Sequence, residues 1–128
     1  LHGMMKQEQM PPIIDKCRAF VAPYVETENG DKDGIPTAML EALASSLPVI
    51  TTNQAMSAHD FVQDGINGQI GPADDEAFLA SAMLKAISSR HTLTTQSIAA
   101  KAALRGYTPE HGADRLVGFL SEVAGVAA

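Results

Sequence analysis

The chain has 128 residues, a formal net charge of −6, 45% hydrophobic and 19% charged residues, which suits one domain with an apolar core and excludes compositional disorder. Its nine Lys and Arg are scattered, so the clustered cations of a nucleic-acid binder are missing, although a nucleotide held by backbone N–H groups is not excluded. A lone cysteine, Cys17, rules out an intrachain disulfide and a Cys-based metal site and favours a cytoplasmic setting, and no apolar run approaches the roughly 20 residues of a membrane span.

"LHGMM" at the start reads as the tail of a strand and a turn, as expected of a piece of a longer protein. "MPPIIDKCRAFVAPYV" predicts a short helix opened by Pro11 and Pro12, then a buried strand closed by Pro23. Tyr24 to Gly34 is a polar loop carrying Glu26, Glu28, Asp31 and Asp33. Pro36 falls at the expected first helical position, and Thr37 to Ser46 continues the helix. Its apolar stripe is Met39, Leu40, Leu43 and Leu47. "LPVITT" is a second buried strand.

One or two helical turns are expected in "SAHDFVQ", stopped by the tight-turn pairs of "DGING". "GQIGP" is a brief third strand. A long helix follows, with Asp74 and Asp75 at its start and Phe78, Leu79, Met83, Leu84 and Ile87 along one side. Thr94 to Leu104 and Pro109 to Val123 complete the helices. Alternating helices and short apolar strands predict an α/β fold, a Rossmann-like parallel sheet with flanking helices. Three strands are few for a free-standing domain of that kind, so part of the sheet is expected to lie elsewhere in the parent.

In such sheets ligands bind where loops leave the carboxyl ends of strands and enter helices. The Tyr24 to Pro36 loop holds that position. The N–H groups of Ile35, Thr37 and Ala38 would present the positive end of a helix dipole to an anion, and Gly34 would let a ligand come close. Asp33 lies just ahead of this helix, and Glu41 is about 6–7 Å further along it. Carboxylates so placed could grip hydroxyls at both ends of an extended ligand with a diphosphate between them. From the residues alone a second reading stays open, a non-catalytic α/β interaction domain in which both acids are ordinary helix acids.

"DGIPTAMLEALASSLPVITTN" resembles the E-x7-E segment of GT-B glycosyltransferases of the large retaining family four type. "FVQDGINGQIGPADDEAFLASAM" is similar to the stretch that follows in that family, and "LHGMMKQEQMPPIIDKCRAFVAP" to the stretch before it. The likeness runs through nearly the whole chain, least distinctively in the last helices. It implies that residues 1–128 are a single, partial nucleotide-sugar donor-binding domain, the carboxyl part of a GT-B C-terminal domain. The acceptor-binding N-terminal domain would be absent.

The resemblance also implies roles. Glu41 would hold the nucleotide ribose. Asp33, the acid nearest the chemistry and so the catalytic candidate, would hold hydroxyls of the transferred sugar. Gly34, Ile35, Pro36 and Thr37 would line the sugar and diphosphate, with Leu40 near the nucleoside. The donor would be a UDP- or GDP-sugar, bound without a metal or other cofactor. The acceptor would be a glycan or lipid-linked glycan, as in polysaccharide biosynthesis. The parent would be a hexosyltransferase-type enzyme of the cytoplasm, with peripheral association at the inner membrane face open to it.

The sequence departs from the family in two places. Its first acid is Asp, one methylene shorter than the commoner Glu, and "SSL" at Ser45 to Leu47 replaces a usual Cys/Ala-Gly. The family's Arg and Lys for the diphosphate lie upstream of this segment, so the fragment alone is expected to be inactive. His2, His59, His91 and His111 show no metal-ligand spacing and read as surface or helix-end histidines, with a cleft-facing His59, which stands where the family usually has Pro-Glu, as the lesser alternative.

Overall fold

In the computed structural model the described residues are 3–30, 34–88 and 90–124, with backbone alone at 90–93 and 124. Gly3 turns the chain (φ +67°), and one 3₁₀ turn, Gln7–Gln9, leads into α1, Pro11–Ile14. Then come β1 (Phe20–Ala22), α2 (Thr37–Ala44), β2 (Val49–Thr52), α3 (Ala58–Phe61) and β3 (Gly68–Gly71). Helices α4 (Glu76–Ser88), α5 (Arg90–Ala103) and α6 (Pro109–Ala124) close the order. The strands pair in parallel in the order β1-β2-β3, with Phe20 opposite Val49 and Thr51 opposite Ile70. This is the α/β, Rossmann-like arrangement that the strand and helix pattern predicts.

Side chains alternate across a strand, and here the alternation builds two cores. Phe20, Val49 and Ile70 point to one face, where Met39, Leu43 and Leu47 from the α2 segment, Phe61 and Val62, and Ala100 of α5 cover them. Ile50 points to the other face, under Phe78, Leu79, Ala82 and Ala86 of α4. Central strand β2 is buried throughout. Tyr107, in the turn after α5, packs its ring 4.8 Å from that of Phe61 and ties the α5–α6 connection to the first core.

Two local expectations are corrected. Along α4 the inward line is Phe78 and Leu79, half-buried, with Ala82 and Ala86, buried, while Met83, Leu84 and Ile87 are exposed. Alanines at 82 and 86 let the helix lie close to β2, and that rotation turns the larger side chains outward. Of the paired acids before α4, Asp75 is the cap: its Oδ1 accepts from the Phe78 N–H at 2.8 Å, whereas Asp74 takes a left-handed turn (φ 58°).

Glycine is required where β3 starts. A Cβ on Gly68 would stand 2.1 Å from the Val49 carbonyl oxygen, so only a bare Cα lets β3 reach β2. The turn before it is held by Asn67, fully buried. Its Oδ1 accepts from the Gln63 N–H at 2.7 Å, and its Nδ2 donates to the Phe61 carbonyl at 2.8 Å. Buried amides are tolerated when paired in this way.

Candidate donor site at the carboxyl end of the sheet

Because the strands are parallel, the loops that follow them gather at one end of the sheet. Three contacts bind those loops together. Thr51 Oγ1 donates to the Ala22 carbonyl at 2.9 Å, and Thr52 Oγ1 donates to the Tyr24 carbonyl. Asn53 N–H donates to the Gly71 carbonyl at 2.9 Å. The β-branched run that makes β2 thus ends in two hydroxyls that fix the exit of β1.

Helix α2 starts at this end. Pro36 is its N-cap (φ −70°, ψ 108°) rather than its first residue, and no side chain caps it. The Pro36 carbonyl takes the Met39 and Leu40 N–H groups at 3.0 and 3.4 Å. Among the described residues nothing accepts from the N–H groups of Thr37 and Ala38. Such bare donors at a helix N-terminus attract an anion. Gly34, Ile35 and Thr37 are exposed, Pro36 is buried, and Leu40 is half-buried with its side chain against the first core.

Glu41 is exposed on α2, about 6 Å along the axis from Thr37. It borders a groove of about 240 Å³ whose far wall is Gln7, Met10, Pro11 and Ile14. A smaller hollow of about 80 Å³ continues from Glu41 past Ala38. The larger groove runs from Glu41 toward the C-terminal end of α2, along Ala44 and Ser45, and its facing wall is largely apolar. Asp33, the other expected acid, lies outside the described residues.

Two participants in this geometry are not apparent from residue patterns. Ser57 reads as an ordinary N-cap of α3, but its side chain does not cap that helix. Instead its N–H and Oγ both donate to the Gly34 carbonyl, at 3.1 and 2.7 Å. Met10 and Ile14 read as core, yet they form the wall opposite Glu41. Gln54, in the same β2–α3 loop, has a buried Oε1 with no donor among the described residues. His59 is exposed on α3.

This geometry coincides with a family assignment. Residues 1–89 match the family described as Glycosyl transferases group 1, a span that includes all three strands, α2 and α4. The chain belongs to the group 1 glycosyl transferases. It is 26% identical over 122 residues to the amylovoran biosynthesis glycosyltransferase AmsK of Erwinia amylovora, covering 95% of this chain and 30% of that protein. It is 29% identical over 79 residues to the putative colanic acid biosynthesis glycosyltransferase WcaL of Salmonella typhimurium, covering 62% of this chain and 19% of the relative. The Escherichia coli protein of the same name is 30% identical over 78 residues, covering 61% of this chain and 19% of its own length. The chain thus spans less than a third of each of these relatives. The three-stranded parallel sheet with helices on both faces is consistent with the C-terminal domain of a GT-B glycosyltransferase. Among the described residues no helix is long and apolar enough to cross a membrane.

Proposed function

We propose that this group 1 glycosyl transferase chain is the donor-binding portion of a retaining GT-B enzyme. The parent would transfer a sugar from a nucleotide-diphosphate sugar to a glycan or lipid-linked glycan in polysaccharide biosynthesis. The observation that carries the reading is the placement of Glu41 one turn inside a helix whose first N–H groups are bare. The family match over residues 1–89 supports it. In this reading the α2 N-terminus takes the diphosphate and Gly34 gives it close approach. Glu41 accepts the ribose hydroxyls, with the base against Met10 and Ile14.

Asp33 takes hydroxyls of the transferred sugar, making the pair an E-x7-E motif with a shortened first acid. The missing methylene moves that contact and so bears on which sugar is accepted. The donor is a UDP- or GDP-sugar, and the parent supplies the upstream cations and the acceptor-binding domain. Relatives named for amylovoran and colanic acid biosynthesis support a polysaccharide as the product class.

Glu41→Ala in the full-length parent tests the reading. A carboxylate bonded to two hydroxyls in the transition state predicts a loss of about 10²-fold in kcat/KM. Unchanged activity would return Glu41 to the role of an ordinary helix acid. For the 128-residue chain, UDP and GDP titrations followed by NMR should shift the amides of Gly34 to Ala38. Shifts confined to other regions at millimolar ligand would count against the site.

A further inference from the structure

A second cavity, of about 540 Å³, lies one turn beyond Glu41 at the far end of α2, where the strands begin. Arg18, Lys101 and Arg105 line it together with the hydroxyls of Ser46 and Ser97 and one carboxylate, Asp15. Three of the chain's nine Lys and Arg therefore meet in one hollow of a protein with net charge −6. They are far apart in sequence and come together because α5 packs across the C-terminal end of α2 beside the entry to β1.

Among the described residues these charges are engaged only lightly. Arg18 makes one long bond, from Nη1 to the Ile87 carbonyl at 3.4 Å. Among the described residues none of the three is in an ion pair, and Lys101 and Arg105 make no side-chain hydrogen bond. Cations at a helix C-terminus often serve its open carbonyls. Here three of the last four carbonyls of α2 are already taken: those of Glu41, Ala42 and Leu43 accept from the N–H groups of Ser45, Leu47 and Ser46 at 3.0, 2.9 and 3.0 Å. Two cations without a side-chain partner among the described residues, and a third with one long bond, stand beside hydroxyl donors, and that is the chemistry that recognises a phosphate group.

We propose that this cavity is an anion site for a phosphate-bearing ligand, adjoining the Glu41 groove, with which it shares Ile14 and Ser45, and distinct from the anion position at the α2 N-terminus. The phosphate could arrive as a soluble phosphate ester or on the headgroup of an anionic lipid. The 128-residue chain is titrated with inorganic phosphate and pyrophosphate, with sodium chloride at matched ionic strength as control, and backbone amides are followed by NMR. In a parallel arm it is sedimented with phosphatidylglycerol-containing vesicles and with phosphatidylcholine vesicles alone.

Phosphate-dependent shifts at Arg18, Ser45 to Leu47, Ser97 and Lys101 support the site and assign a soluble ligand. Binding confined to the anionic vesicles supports it and assigns a headgroup. In either arm Lys101→Gln with Arg105→Gln should weaken binding about tenfold, as expected for two exposed charge contacts. Both side chains are exposed, and the dispersion of the variant spectrum verifies its fold. Should the double variant unfold, each single substitution decides with a loss of about threefold. No response in either arm overturns the proposal, as does a response equalled by chloride or one that survives the substitutions. Pyrophosphate shifts confined to Gly34 to Ala38 belong to the donor site and also overturn it.

Discussion

Ser57 holds the Gly34 carbonyl with two hydrogen bonds, its N–H at 3.1 Å and its hydroxyl at 2.7 Å. That pair fastens the loop after β2 to the residue two positions ahead of the α2 N-cap. It fixes the direction from which the chain enters the helix, and so where the bare N–H groups point. Ser57→Ala removes one of the two bonds and should cost about 1 kcal/mol in chemical denaturation. In the parent, donor KM should rise about tenfold or less with kcat nearly kept, and Ser57→Thr should restore it. An unchanged KM would mean that the tie serves stability alone.

At the start of β3, Gly68→Ala should be the most damaging small substitution in the sheet. Its Cβ would meet backbone, the Val49 carbonyl oxygen, at 2.1 Å, and the Val62 side chain at 2.8 Å. The β2–β3 pairing must shift, with an expected loss of about 3 kcal/mol in urea unfolding. Gly71→Ala meets the Phe78 ring at 2.4 Å instead. A ring can turn aside, so that loss should be about half as large. Equal costs at the two positions would refute the distinction between backbone and side-chain obstruction.

Ser46 occupies the left-handed position just past α2 (φ 63°). Its N–H and that of Leu47 reach back to Leu43 and Ala42, the pattern of a Schellman C-cap that usually carries glycine. The "SSL" departure therefore has a backbone consequence. Ser46→Gly should raise stability by about 0.5–1 kcal/mol, because relief of the left-handed conformation outweighs the added freedom of the unfolded chain. A fall in melting temperature would show that the serine side chain contributes more than its backbone costs.

Glu110, in the first turn of α6, has its carboxyl held below its ordinary value by hydrogen bonds from backbone N–H and from the Thr108 hydroxyl. Thr108 Oγ1 also accepts from the His111 N–H at 3.2 Å. A depressed carboxylate contributes stability above its unfolded pKa and loses it as pH falls through the folded pKa. Helicity at the start of α6 should therefore decline below the usual Glu range of about 4.3. By NMR titration, Thr108→Ala should raise the Glu110 midpoint toward the ordinary Glu value. A midpoint that stays in place would remove Thr108 as a cause.

Much of the fold was legible because local chemistry and tertiary packing agree. The runs "FVA" and "VITT" are apolar or β-branched and bounded by Pro23, Pro48 and Asn53, and they became β1 and β2. Met39 and Leu43 share one helix face and are buried. Where two faces of one helix are both apolar, periodicity does not choose between them. On α4 the choice fell to Ala82 and Ala86, because small side chains allow the closest approach to Ile50.

By itself the sequence determined the strand-helix alternation, the loop that precedes α2, and the spacing that puts Glu41 one turn inside that helix. These depend on nearby residues and on the fixed geometry of helix and strand. Only the tertiary structure decided that Ser57 fastens Gly34, that Met10 and Ile14 face Glu41, and that Arg18, Lys101 and Arg105 meet in one cavity. Those contacts join residues distant along the chain, and their geometry follows from how α2 and α5 pack on the parallel sheet.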